Sequence, residues 1–268
     1  MKFPAPVITR EHGSWAVLFV PMIIGISTAG TVTINNLFLA LSALGVFMSY
    51  VPVHTILREV SGLPQGKEKL SASIFWGPIY LSVGLITIIP LFVQGYAHLL
   101  TFAVIGAASF FGNYFLTLRG QKSILSDLTA VAGLTLSAPS AYYIASGLLD
   151  ANATILWLLT FLFFGCSVFY VHLKIRVLAL KKTHIPLVER LTLGRLNIVY
   201  HVIVISIVAV LSLYNYTPRT AALAFLPMAL HAIYGTLKLR STVKFKNLGF
   251  QLLGHSIVFC ILLVLIWS

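Results

Sequence analysis

Nine α-helices threaded through a membrane in one all-α bundle are what this chain of 268 residues spells out, on three counts. It is 59% hydrophobic and only 9% charged, a balance that a water-soluble chain could meet only by exposing most of its apolar surface. Most of its apolar segments reach the ~20 residues that a helix needs to cross a ~30 Å hydrocarbon core. Lipid permits only helices or closed barrels, and nothing here alternates with period two, so the barrel is excluded. Third, all but one of the 18 Lys and Arg fall into alternate gaps between these segments; the exception is Arg219. Cation-rich gaps stay in the cytoplasm, so the N-terminus is expected inside and, after an odd number of spans, the C-terminus outside.

The segments follow in order. Residues 14–29 come after Lys2 and Arg10 and are interrupted by Pro21 and Gly25; with Ser27, Thr28 and Ala29 behind them they also have the outline of a signal peptide. Glu11, His12 and Trp15 nevertheless look placed, and the stretch is read as a span. Residues 36–56 and 73–93 flank a basic gap holding Arg58, Lys67 and Lys69. Residues 97–117 and 124–146 flank Arg119 and Lys122, and the second of these carries Ser137, Ala141 and Ala145 at helical spacing around Pro139, which predicts close packing and a kink. Residues 153–178 and 196–214 enclose the most basic gap, 174–195, and residues 220–237 and 247–267 enclose the last, with Lys238, Arg240, Lys244 and Lys246. No polar linker divides the chain, so residues 1–268 are read as a single integral-membrane domain with its function on the cytoplasmic side, where the longer polar connections lie.

The net charge of +12 would suggest nucleic acid in a soluble protein. Here it sits beside anionic lipid headgroups, and topology accounts for it without a nucleic-acid partner. Cys166 and Cys260 lie within spans and form no C-x-x-C pair, so they are read as small apolar fillers.

Polar residues inside spans are costly, and here they recur at i, i+4 spacing near the cytoplasmic ends. Tyr50, His54 and Arg58 form one stripe, Ser109, Asn113 and Thr117 a second, and Asn247, Gln251 and His255 a third. His172 with Arg176, Asn197 with His201, and His231 with Tyr234 and Lys238 repeat the pattern. At 1.5 Å rise per residue, the histidines at 54, 172, 201, 231 and 255 and Asn113 come within roughly 5–12 Å of the inner boundary, so a common polar cavity open to the cytoplasm is expected. Each residue also has a plainer role available, as a helix-to-helix hydrogen bond or a snorkelling cation.

Several imidazoles could hold a metal or haem, but no H-x-x-x-H or E-x-x-H pair occurs and the neighbouring Lys and Arg would repel a cation. The cationic surplus better suits a phosphate, diphosphate or carboxylate. Asp127 is the acid that could balance a cavity cation or act as a base; otherwise it stabilises a helix N-terminus.

The stretch Arg10-Glu11-His12-Gly13-Ser14-Trp15-Ala16, with Pro21 after it, resembles the YwiC-like family of bacterial membrane proteins. Nine spans with the N-terminus inside also resemble the plan of the UbiA-type intramembrane prenyltransferases. Arg10 followed by Val20-Pro21 and Gly25, Arg119 followed by Asp127 and Gly133, and Lys181-Lys182-Thr183-His184-Ile185-Pro186 are similar to local sequence of those enzymes. That second resemblance implies Mg²⁺ held by two aspartate-rich motifs. The corresponding stretches here are Val53-His54-Thr55-Ile56-Leu57-Arg58-Glu59 and Tyr170-Val171-His172-Leu173-Lys174-Ile175-Arg176, and neither contains an aspartate. The Mg²⁺ site is therefore not expected, no other cofactor is identified, and no metal ligands are assigned.

The expectation is a UbiA-like bundle in the bacterial cytoplasmic membrane that binds an amphipathic anionic molecule, isoprenoid or quinone-like. His54, Arg58, Arg119, His172, Lys174 and Arg176 would hold its head, and Asn113, His201, His231, Gln251 and His255 would line the pocket. Arg10, His12 and Lys238 complete the set. Catalysis would be metal-independent transfer, with His54, Asp127 or His172 as acid or base. A non-catalytic lipid- or haem-binding assembly factor and a small-molecule transporter remain alternatives.

Overall fold

The computed structural model describes residues 4–9, 12–118, 123–180, 182, 185–239 and 244–267, with only the backbone of His12. Every regular element among them is helical: α1 (His12–Ala29), α2 (Ile34–Val60), α3 (Lys67–Val93), α4 (Leu99–Thr117), α5 (Ile124–Leu134), α6 (Ser137–Ser146), α7 (Ala151–Ala179), α8 (Leu187–Leu213), α9 (Leu226–Leu237) and α10 (Phe245–Trp267). A 3-10 turn, Ala221–Phe225, precedes α9. Seven stretches are long and apolar enough to cross a membrane: α2, α3, α4, α5 with α6, α7, α8 and α10. Gly13–Ala29 and Ala221–Leu237 are apolar but shorter.

Each apolar segment coincides with helix, yet the helices outrun the segments on the basic side. α2 continues to Val60, α7 to Ala179, and α8 begins at Leu187, so most of the basic stretch 174–195 is helix rather than loop. Helix needs backbone hydrogen bonds and not apolar side chains, so it continues past the hydrocarbon boundary on polar residues. The kink expected around Pro139 is a break at Thr135 and Leu136. Pro139 lies in the first turn of α6, where a missing N–H costs nothing. Gly147 closes α6 in the left-handed region at φ 73°, its N–H bonded to Tyr143 O.

Helix α7 is the axis of the core. Leu156, Leu159, Phe163, Phe164 and Cys166 are buried against α1, α6, α8, α9 and α10, and the Phe163 and Phe259 rings stack at 3.8 Å. α1 is interior as well, with Ile24 fully buried; a Cβ on Gly25 would collide with the Ala138 carbonyl, so glycine sets the close approach of α1 to α6. α2 and α3 form a hairpin crossing at Gly45 and Gly84, where Ser42 Oγ donates to Gly84 O at 2.9 Å. α3 and α4 bury little of their surface and present apolar side chains outward, as lipid-facing helices do.

Candidate functional site

The corner between α4 and α5 sets the first groups in place. Ser123 caps α5 reciprocally with Ser126: Ser123 Oγ accepts the Ser126 N–H at 3.1 Å and Ser126 Oγ accepts the Ser123 N–H at 2.9 Å. Asn113 of α4 donates Nδ2 to Ser126 O at 2.6 Å and accepts the Tyr50 hydroxyl at 2.8 Å, joining α2, α4 and α5. Asp127 follows in the first turn of α5, where a carboxylate suits the helix dipole. It also reaches α7, because Asp127 Oδ2 accepts a hydrogen bond from His172 Nε2 at 2.9 Å. A carboxylate can only accept, so Nε2 bears the proton and Nδ1 of the neutral ring keeps its lone pair.

From here α7 presents two polar faces. His172 and Arg176, one turn apart, line a small crevice between α5, α7 and α8 with Ile124, Leu193, Leu196 and Asn197. Arg176 is exposed there. Tyr170 and Lys174, also one turn apart, face α9 instead. Lys174 Nζ donates to Gly235 O at 3.1 Å and lies 4.9 Å over the Tyr170 ring. Tyr170 meets the His231 ring edge-on at 5.3 Å, and His231 meets His255 of α10 at 4.6 Å. His255 Nδ1 donates to Gln251 O at 2.7 Å, while His231 Nε2 is buried without a hydrogen-bond partner.

The remaining candidates fall elsewhere. His54 sits between Tyr50 and Tyr114, with ring centroids at 5.9 and 5.6 Å, and its Nε2 is 3.4 Å from Thr117 Oγ1. Arg58 ends the same stripe with Nε buried and unbonded. Asn197 donates to Thr236 Oγ1 at 3.2 Å, tying α8 to α9, while fully buried His201 bonds the Asn197 carbonyl of its own helix through Nδ1 at 2.7 Å. Gln251 and Lys238 are exposed, with Lys238 Nζ 4.7 Å over Tyr234. Arg10, Arg119 and the side chain of His12 lie outside the described residues. His54, His172 and His231 thus stand in three sets with different neighbours.

Among the described residues no three His, Cys, Asp or Glu side chains gather as metal ligands. Sequence reasoning passed over Tyr170, the wall between Lys174 and His231, although its i, i+4 relation to Lys174 was there to read. It also passed over Gly235, where a Cβ would collide with the Tyr170 hydroxyl, and Tyr114, whose hydroxyl donates to Leu57 O at 3.0 Å and meets Ser61 Oγ at 2.6 Å.

Comparison with known proteins adds a family. The uncharacterized protein YwiC of Bacillus subtilis (strain 168) is 27% identical over 180 residues, covering 63% of this chain and 67% of that protein. No solved structure matches. The family model described as YwiC-like protein matches residues 8–142, which include Tyr50, His54, Asn113 and Asp127 but end before α7. The chain is a helical membrane protein that belongs to the YwiC-like family.

Proposed function

We propose that the chain crosses the bacterial cytoplasmic membrane nine times as one unit, N-terminus inside and C-terminus outside. In this reading its inner end binds the anionic head of an amphipathic, isoprenoid- or quinone-like molecule. The observation that carries the binding reading is Arg176, an exposed guanidinium on the crevice wall one turn from His172, with no ion-pair partner among the described residues. A guanidinium offers five N–H donors in a planar fork and grips carboxylate or phosphate oxygens two at a time. The apolar tail would run along outward-facing side chains beside the crevice, such as Leu196 and Val199 of α8, 43% and 51% exposed. A cationic wall of this kind holds the head directly and does not need a metal ion between them. Within this reading His172 Nδ1 is the acid–base group if the molecule is turned over, and Asp127 is the residue that orients it.

Mass spectrometry of lipid extracted from the purified protein tests the ligand class. A stoichiometric molecule with a phosphate, diphosphate or carboxylate head is expected, and recovery of neutral lipids alone overturns the reading. Reporter fusions test the topology: one after Ser268 should read external and one inserted at Lys181 cytoplasmic, whereas a cytoplasmic C-terminus rules out nine spans.

A further inference from the structure

We infer that the cluster of Lys174, His231 and His255, where α7, α9 and α10 meet, is a second site, independent of the crevice, that holds the phosphate of an anionic phospholipid. Lys174 is half-buried, and the partners of its ammonium are a carbonyl oxygen, Gly235 O, and the Tyr170 ring. Neither carries a countercharge, and no carboxylate among the described residues pairs with it. An ammonium drawn partly out of water and left unneutralised is costly, so the fold asks for an anion at this place.

Two imidazoles extend the request. His231 keeps a buried Nε2 without a hydrogen-bond partner, and the ring of His255 on α10 stands 4.6 Å from its own. His255 spends Nδ1–H on Gln251 O, which leaves Nε2 for another group. Lys174 over the Tyr170 ring, His231 at the edge of that ring and His255 beside His231 thus bring nitrogen groups from three helices into one cluster, and no acidic side chain among the described residues pairs with it. A divalent metal suits it poorly, because two imidazoles are too few and the ammonium adds repulsion. A phosphate suits it well, since its oxygens only accept: Lys174 and His231 donate, and His255 packs against His231 at the rim.

The surroundings select a lipid over a soluble phosphate. Leu230 and Tyr234 adjoin His231 on α9 and Val258 adjoins His255 on α10, and they are 64%, 57% and 41% exposed, an outward apolar surface along which acyl chains can lie. A basic groove between helices at the charged end of a membrane bundle is where anionic headgroups settle.

Native mass spectrometry on delipidated protein tests this, with phosphatidylglycerol set against phosphatidylcholine, whose phosphate is masked by its own choline. The wild type should retain one phosphatidylglycerol about tenfold more tightly than phosphatidylcholine, and Lys174→Gln and His255→Gln should each remove most of that preference. Lys67→Ala, an exposed cation at the start of α3, should leave it intact. Equal retention of the two lipids by the wild type overturns the site. So does undiminished phosphatidylglycerol binding in His255→Gln, a change at a partly exposed position that the fold should tolerate. Displacement of the lipid by excess inorganic phosphate overturns the choice of a lipid as the source.

Discussion

The two polar faces of α7 are built from similar residues and arrive at opposite electrostatic states. Toward α5 and α8, His172 is held by Asp127 at 2.9 Å and Arg176 stands exposed beside it. Toward α9 and α10, Lys174 lies over Tyr170, His231 meets the edge of that ring and His255 meets His231, with no carboxylate paired to them among the described residues. The first face therefore has a fixed imidazole and a cation that water can still reach. The second has a half-buried cation that nothing in the described residues neutralises. The same residue types serve differently because one neighbour, Asp127, is present on one face alone.

The largest effect expected from breaking this contrast comes from Gly235→Leu. Its side chain would collide with the Tyr170 hydroxyl and push the ring off α9. Overpacking of this kind costs roughly 3 kcal/mol, or about 6–10 °C in thermal unfolding of detergent-solubilised protein. Next, Lys174→Met sharpens the contrast by its sign. Replacing the uncompensated cation with an apolar chain of similar length should raise the unfolding temperature of delipidated protein, by the equivalent of about 1–2 kcal/mol. Asp127→Ala should act in the other direction and more weakly. It removes a charge-assisted hydrogen bond from a carboxylate that is 35% exposed, so the loss is about 1 kcal/mol, and Asp127→Asn should recover part of it. Stabilisation by both Lys174→Met and Asp127→Ala would erase the distinction between the faces.

The membrane helices were legible because lipid turns hydropathy and span length into a direct readout of helix. Their ends were less so: hydropathy measures the hydrocarbon slab, whereas α2, α7 and α8 continue on polar side chains beyond it. The polar stripes at i, i+4 were legible one helix at a time. How the stripes face one another was not, since that depends on the rotation of each helix within the bundle. Lys174 and Arg176 illustrate the point. Grouped from sequence as holders of one head, they are two residues apart on a helix, about 200° around its axis, and the structure turns one toward α9 and the other toward the crevice. The pairing of Asp127 with His172 lay equally beyond sequence, because it joins residues 45 positions apart through the packing of α5 on α7.

The central claim is that the crevice cation holds an anionic head directly. Its most direct test is the affinity of the co-purified ligand for the wild type and for Arg176→Ala, each measured with and without EDTA. Loss of a charge-assisted hydrogen bond should weaken binding by about 1.5–3 kcal/mol, or roughly 10- to 150-fold, with no effect of EDTA on either protein. Abolition of binding by EDTA, together with normal binding by Arg176→Ala, would contradict the account.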